Sequence, residues 1–150
     1  MSEKLAEFIE GMGVIAQADG LPRIAGRLIA LMVIEQGPFS FSDLAIKLSV
    51  SRASISTNTR LLESMGIINR VGKPGDRQDY FKLADDPYIK LLQGLTFRMN
   101  KAKKLIEHTQ EDLPEGISKK RLQAMHSFYH GMINSQLQLI KEMEQGHDPA

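Results

Sequence analysis

The feature that most constrains this chain is a change of hydrophobic period within residues 42–84. Two short stretches with apolar residues at helical spacing are joined by the turn Ser49-Val50-Ser51, and Gly66 ends the second stretch. Two runs of β-branched, aromatic and apolar residues follow, "IINRV" and "DYFKLA", separated by "GKPGDRQ". Because short runs around a segment with Gly and Pro are typical of hairpins, this order predicts two helices followed by a β-hairpin with a basic tip.

Helices are also predicted before this segment. Apolar residues at three- and four-residue steps indicate an amphipathic helix over residues 3–18. Pro22 suits the first turn of a second, mostly apolar helix, which stops at Gly37-Pro38. Ser42 is the expected cap of a short third helix.

Two long helices are predicted after the hairpin. The first starts at Asp86-Pro87 and ends in the polar loop "TQEDLPEG", and Ser118 is the expected cap of the second. Two crossed helices and a hairpin with a basic tip describe a winged helix-turn-helix, so the predicted class is mainly α with a small β-hairpin wing (α+β). The predicted divisions are an N-terminal dimerisation helix (residues 1–20), a winged helix-turn-helix head (21–86) and long C-terminal dimerisation helices (87–150).

The second helix of the head has an unusual polar composition. Ser51 suits its N-cap and Gly66 its C′ position, yet the turns between them are rich in Ser, Thr, Asn and Arg. Short hydrogen-bonding side chains let a helix approach a DNA duplex closely, and Arg reaches guanine edges and phosphates. Residues 47–82 also hold seven Lys and Arg against three Asp and Glu, although the whole chain has a net charge of only +1. The predicted DNA-binding residues are Ser51, Arg52, Ser54, Ser56, Thr57, Asn58, Arg60, Arg70, Lys73 and Arg77.

Each of these assignments has a plainer alternative. The polar helix face is also compatible with ordinary solvation, and the hairpin tip with an ordinary polar loop. Ser51 is compatible with a helix cap alone, and Arg70 with a charge that protects a strand edge. The flanking turn, hairpin and local charge favour DNA contact over these alternatives.

At these residues the chain resembles a known family. The segment "FSFSDLAIKLSVSRASISTNTRLLESMGIINRVGKPGDRQDYFKL" resembles the core of MarR-type winged-helix transcriptional regulators, and "GMGVIAQADGLPRIAGRLIALMVI" is similar to their GbsR-like branch. The resemblance implies a homodimer whose terminal helices pair and whose two heads read a pseudo-palindromic operator. It also implies a recognition helix that carries the polar face and a wing that carries Asp76 and Arg77. Many members have a second basic residue where this wing has Gln78, so the minor-groove contact is expected either to be weaker or to rest on Arg77 alone.

The last helix carries an apolar stripe that is too long for a small head to cover. Such a stripe favours contact with a second copy, and packing against the helix of residues 88–110 is the alternative. The first helix is expected to complete the interface. The predicted dimerisation residues are Leu5, Phe8, Met12, Leu122, Met125, Tyr129, Met132, Leu137 and Ile140.

Other chemistries find little support in the sequence. The absence of Cys excludes disulfides, thiolate-bound zinc and a Cys nucleophile, and no phosphate loop or Ser-His-acid grouping is evident. His126 and His130 lie four residues apart, a spacing that suits zinc, but no further ligand completes a first shell, so we expect no metal and no cofactor. Four helix aromatics are candidates to line a small-molecule pocket, and packing in the core is the alternative: Tyr88, Phe97, Phe128 and Tyr129.

These patterns predict a function in transcription rather than an enzyme. We expect a sequence-specific double-stranded DNA-binding regulator that acts as a homodimer, with gating by a small ligand left open. The absence of a signal peptide and of a long apolar run predicts a cytoplasmic protein with no membrane partner. The alternative is a protein-interaction module that uses the winged-helix fold without specific DNA binding. In that case the face from Arg52 to Arg60 would be packed or neutralised by nearby acids.

Overall fold

The order of helices and strands agrees with the predicted class, mainly α with a small wing. The computed structural model describes residues 1–146, so the last four residues of the predicted C-terminal division lie outside the described part. The elements are α1 (Glu3–Ala18), α2 (Arg23–Ile34), β1 (Phe39–Ser40), α3 (Phe41–Leu48), α4 (Arg52–Ser64), β2 (Ile68–Val71), β3 (Tyr80–Leu83), α5 (Pro87–Gln110) and α6 (Ile117–Glu144). They fall into two compact units, and the second begins at Tyr88.

A small antiparallel sheet supports the first unit. Its strand order is β1-β3-β2, and β2 and β3 form the predicted hairpin. The two-residue strand β1 was not predicted, because a strand this short has no detectable period. It pairs with β3 through Phe39 opposite Phe81 and Ser40 opposite Tyr80.

The start of α3 differs from the prediction. Ser40, not Ser42, is the N-cap: its hydroxyl accepts the Asp43 N–H at 3.1 Å, and the Asp43 carboxylate accepts the Ser40 N–H at 2.9 Å. This reciprocal capping box needs an acidic or amide residue three positions after the cap. Ser40 has Asp43 there, whereas Ser42 has Ala45, so only Ser40 can form it.

The starts of α2 and α6 also differ from the prediction. Pro22 is the N-cap of α2 and lies just before the helix, with extended backbone angles. The last helix begins at Ile117 after Gly116, so Ser118 lies inside it and does not cap it. Gly116 has φ 152°, a backbone angle that a residue with a side chain rarely adopts, and its carbonyl accepts the Lys120 N–H at 3.1 Å. Backbone geometry, rather than a capping hydroxyl, therefore sets this helix start.

Helices α1 and α2 cross closely within the first unit. Two glycines permit this approach, since a Cβ on Gly26 would lie 2.6 Å from the Ala16 Cβ and 2.6 Å from the Met12 carbonyl oxygen. A Cβ on Gly13 would lie 2.7 Å from the Arg27 Cγ. Helix α1 is therefore packed against α2 within the first unit.

The core of the first unit lies beneath α4 and the sheet. Its fully buried side chains come from α2, from both helices of the helix-turn-helix and from the strands β2 and β3. They are Leu28, Leu31, Leu44, Leu48, Ile55, Thr59, Leu62, Ile68 and Phe81.

The second unit consists of the two long helices α5 and α6. A buried polar contact joins them: the Thr96 hydroxyl donates to the Gln136 side-chain oxygen at 2.8 Å. Ile106, Ile133 and Ile140 are also buried. Within residues 1–146, no helix has the length and apolar character needed to cross a membrane.

Candidate nucleic-acid interface

The orientation of α4 is set by its cap and by its buried side. The Ser51 hydroxyl accepts the Ser54 N–H at 3.1 Å, which confirms Ser51 as the N-cap. At the other end Gly66 takes a positive φ of 78°, as expected for a C′ residue. Ile55, Thr59 and Leu62 are fully buried, so the opposite side of the helix faces outward.

The outward side of α4 carries two arginines and two hydroxyl groups. Arg52, Thr57 and Arg60 are exposed and Ser56 is half-buried. Arg52, Ser56 and Arg60 follow one another at four-residue steps, which places them along one face of the helix. Neither arginine forms an ion pair with any residue that the structure describes, so both guanidinium groups are available to a partner.

Hydroxyl and amide side chains on α4 bond back to the helix itself. The Thr57 hydroxyl donates to the Ala53 carbonyl at 3.1 Å, and the Asn58 amide donates to the Ser54 carbonyl at 2.8 Å. These local bonds explain how the helix tolerates poor helix formers. The Thr57 oxygen keeps lone pairs that can accept a further hydrogen bond.

Two predicted contact residues are less accessible than expected. Asn58 is 6% exposed, and its side-chain oxygen is buried without a hydrogen-bond partner among the described residues. Ser54 is half-buried and shares a hydrogen bond with Ser51, at 3.0 Å between the two hydroxyl oxygens. Ser54 therefore belongs to the cap of the helix, and Asn58 to its inner side.

Arg70 connects the wing to α4. Its guanidinium contacts the Glu63 carboxylate of α4 at 3.1 Å and the Asp79 carboxylate of the wing at 3.2 Å, and it lies over the Phe81 ring at 5.5 Å. Two carboxylates thus offset its charge. In this arrangement Arg70 orients the base of the wing, and its positive charge is less available to a phosphate than that of Arg52 or Arg60.

The tip of the wing is an ordered turn. Pro74 and Gly75 occupy its centre, Gly75 has φ 78°, and the Asp76 N–H donates to the Lys73 carbonyl at 3.0 Å. Pro followed by Gly at a positive φ is the pattern of a type II turn. Arg77 is exposed directly after this turn and forms no ion pair within residues 1–146.

Tyr80 organises the tip from below. Its hydroxyl donates to the Asp76 carboxylate at 2.5 Å, and the Lys73 ammonium lies 4.0 Å from the centre of its ring. The hydrogen bond from Tyr80, followed by that from the Gln78 N–H, holds the pKa of Asp76 below its usual range. The same contact with Asp76 raises the pKa of Tyr80. The sequence analysis did not identify Tyr80 as a functional residue, because the run "DYFKLA" indicates only that it lies in a strand.

Substitution of Tyr80 by Phe should raise the pKa of Asp76 towards its ordinary value of about 4. A carboxyl with a depressed pKa in the folded state contributes stability above its unfolded pKa and loses it as the pH falls through the lowered value. The ordering of the wing tip should thus weaken below about pH 4 in the unsubstituted protein. Carboxyl-carbon NMR titration of both proteins measures the change.

Asp43 provides the internal control for this titration. Hydrogen bonds from the backbone and hydroxyl of Ser40 lower the pKa of Asp43, so it should stay low in the Y80F variant. An Asp76 titration that Y80F leaves unmoved would mean that the phenol is not its main hydrogen-bond donor.

The aromatic residues proposed for a ligand pocket lie at the surface of the described chain. Tyr88, Phe97 and Phe128 are each more than half exposed, and Tyr129 makes an edge-on contact with Phe128. An open groove of about 300 Å³ exists elsewhere in the second unit, and none of these four residues lines it. Its lining residues are Thr109, Leu113, Ser118, Arg121, Leu122 and Met125.

The two histidines of α6 lie side by side and have partners other than a metal. Their rings stack at 6.2 Å, the His126 Nε2 is 3.0 Å from the Glu107 carboxylate, and the His130 Nε2 is 3.2 Å from the Asn134 amide. In the described part of the chain, no group of three or more potential ligands is placed to hold a metal ion.

The fold and this surface define a class of protein, the winged helix-turn-helix proteins. Residues 31–79 match the model of the MarR family. A curated relative, the HTH-type transcriptional regulator MmpR5 of Mycobacterium tuberculosis, is 39% identical over 85 residues, which are 56% of this chain and 52% of that protein. The chain thus spans about half the length of this curated relative.

A solved structure is similar over almost the whole chain. It is a crystal structure of a transcriptional regulator, with a TM-score of 0.83 and 27% identity over 95% of this chain and 99% of the other. Both relatives are named as transcriptional regulators rather than enzymes, in line with the prediction. Together with the family match, they show that this chain is similar to MarR-type winged-helix regulators, whereas the likeness to the GbsR-like branch stays a prediction.

Proposed function

We propose that this protein is a transcriptional regulator that binds double-stranded DNA in a sequence-specific way. The observation that carries the proposal is the outward face of α4, where Arg52 and Arg60 are exposed and form no ion pair within residues 1–146. Arginine on an exposed recognition helix reads guanine edges and phosphates, and Ser56 and Thr57 between them are short enough for close approach.

The wing supplies a second point of contact. Lys73 and Arg77 lie at its ordered tip, and Arg77 is exposed. We assign Arg77 to the minor groove and Lys73 to the phosphate backbone. Arg70 acts through the orientation of the wing, because Glu63 and Asp79 hold its guanidinium.

The charge pattern favours DNA over the alternative of a protein-interaction module. That alternative predicts that the face from Arg52 to Arg60 is packed or neutralised by acids. In the described structure no acid pairs with Arg52 or Arg60, and two acids of the head pair elsewhere: Glu63 with Arg70, and Glu35 with Lys47 at 2.8 Å. The recognition face keeps its positive charge, which suits a polyanion.

We propose further that the protein acts as a homodimer on a pseudo-palindromic operator. Exposed apolar side chains on α1 and α6 support this state, since isolated helices do not keep such faces in water without cost. Of the nine predicted dimerisation residues, Met12, Leu122 and Tyr129 are half-buried, and Ile140 is buried at 8% exposure. The remaining five are exposed: Leu5, Phe8, Met125, Met132 and Leu137.

We propose two finer points: a small ligand gates DNA binding, and the protein belongs to the GbsR-like branch. Gating follows from the geometry of a dimer, because any change in the separation of the two heads prevents simultaneous docking. The open groove at the ends of α5 and α6 has mainly apolar walls and one arginine, Arg121.

Selection from a random pool of DNA duplexes tests the function. We expect the protein to enrich a pseudo-palindromic site whose half-sites lie about 10 base pairs, or roughly 34 Å, apart. Fluorescence anisotropy should show binding that weakens steeply with salt, because phosphate contacts release counterions. Equal binding to selected and random duplexes at every salt concentration would contradict the proposal. Sedimentation of the complex should give two chains per duplex, and one chain would contradict the dimer.

A further inference from the structure

Arg27 on α2 joins three elements of the first unit. Its Nε donates to the Glu10 carboxylate of α1 at 2.8 Å, and its Nη2 donates to the Leu48 carbonyl of α3 at 2.8 Å. Its side chain is only 16% exposed. A guanidinium that is mostly buried and bonded at both ends has little freedom to move, so it holds α1 and the end of α3 in a defined relation.

Its backbone partner lies at the turn before the recognition helix. Leu48 is the last residue of α3, and Ser49 after it adopts a left-handed conformation at φ 54° and ψ 48°. Carbonyls in the last turn of a helix have no partner in the helix, and a positive charge there is favourable. Ser51, three residues after Leu48, is already the cap of α4. The carbonyl that Arg27 holds therefore lies three residues before the N-cap of α4.

The path of the Arg27 side chain depends on α1. Its Cγ passes over Gly13, where a Cβ would lie 2.7 Å away, and its guanidinium ends on Glu10 one turn earlier in α1. Helix α1 thus provides both the space for the stem of Arg27 and the anion that orients its head.

We infer that Arg27 is a positioning residue for DNA recognition: held by Glu10, it fixes the turn from which the reading face of α4 is presented. This inference rests on the proposed function and deepens it, since it makes α1 a determinant of sequence specificity without any DNA contact of its own. It predicts that loss of the guanidinium weakens discrimination between DNA sequences more than it weakens general affinity for DNA.

Arg23 provides a matched control on the same helix. It lies one turn before Arg27 and contacts the same Glu10 carboxylate at 3.1 Å, but its side chain is 50% exposed and makes no hydrogen bond to α3 in the described structure. Arg23→Met and Arg27→Met remove the same charge and leave similar apolar stems. Each variant removes one arginine contact of Glu10, so a difference confined to the turn and α4 reports the hydrogen bond from Arg27 to the Leu48 carbonyl.

The first measurement is deuterium exchange in variants of the 150-residue chain, which needs no DNA. We expect faster amide exchange over residues 48–60 in Arg27→Met than in Arg23→Met, with equal exchange in the sheet. The second measurement is the ratio of affinities for a selected site and for random duplex. That ratio should fall about tenfold in Arg27→Met, as for the loss of one charge-assisted hydrogen bond, and stay within about twofold in Arg23→Met.

Glu10→Ala covers the case in which Arg27→Met does not fold. Like Arg23→Met, it loses the contact between Glu10 and Arg23. If Glu10→Ala discriminates between DNA sequences less well than Arg23→Met does, the difference reports the contact between Glu10 and Arg27. Equal exchange in the turn and equal affinity ratios for the variant and its control would overturn the inference. If the unsubstituted protein selects no DNA site at all, the proposed function fails. The exchange over residues 48–60 then decides separately whether Arg27 holds the turn before α4.

Discussion

Substitution of Arg60 by Ala will lower the affinity for a selected operator by about 10- to 100-fold, while affinity for random duplex falls much less. Arg60 is exposed on the outward face of α4. It shares this face with Ser56, one turn earlier, and with Arg52, two turns earlier. A bidentate contact with a guanine edge provides sequence discrimination, whereas a phosphate contact does not. Anisotropy titrations against both duplexes over a salt series measure the two effects separately.

Arg98→Ala is the control for this experiment. Arg98 is an exposed arginine on α5, so its loss changes the net charge equally but leaves the head untouched. Its affinity for the operator should stay within about twofold of the unsubstituted protein. A parallel fall of specific and random binding in R60A would show that Arg60 contacts only phosphate, and no fall in either would remove α4 from the interface.

Substitution of Phe81 by Ala will destabilise the protein by about 3–5 kcal/mol. Phe81 is fully buried in the central strand of the sheet, where it pairs with Phe39 of β1 and Arg70 of β2 and lies 5.2 Å from the Phe41 ring. Removing the ring leaves a cavity where three strands and α3 meet. In a chain of this size we expect the melting temperature to fall by roughly 10 °C, measured by circular dichroism.

Ile46→Ala is the matched surface substitution. Ile46 is a large apolar residue of α3 in the same unit, but it is 77% exposed, so its loss should change the free energy of unfolding by less than about 0.5 kcal/mol. A loss below about 1 kcal/mol in F81A would indicate that the sheet is not part of the cooperative core.

The elements that sequence reasoning placed correctly are those with local signals. The bounds of α1 and the starts of α4 and α5 follow from helical periodicity and from Ser51 and Pro87, and the hairpin follows from two β-rich runs around Gly and Pro. The exposed positions of Arg52 and Arg60 also follow, since residues at four-residue steps share a face and apolar Ile55 and Leu62 mark the opposite one.

Sequence reasoning was less successful where more than one residue could play the same role, or where the contacts join residues that are distant in sequence. Ser40 and Ser42 are both acceptable caps, and the choice followed from Asp43 and from the pairing of Ser40 with Tyr80 in the sheet. The DNA contact of Arg70 stays a prediction, but the surroundings of its guanidinium could not be predicted from the sequence. Its two carboxylate partners become neighbours only when the hairpin folds onto α4.

Helix α4 shows most clearly which features depend on the local sequence and which depend on tertiary packing. The sequence of α4 by itself determined a capped helix with a polar, basic face, because caps, periodicity and residue chemistry act within a few positions. Only the tertiary structure decided that Asn58 and Thr59 turn inward while Thr57 stays outside, since the rotation of a helix depends on what packs against it. It also decided that Arg27 of α2 reaches the turn before α4, because that contact requires α1, α2 and α3 to be assembled first.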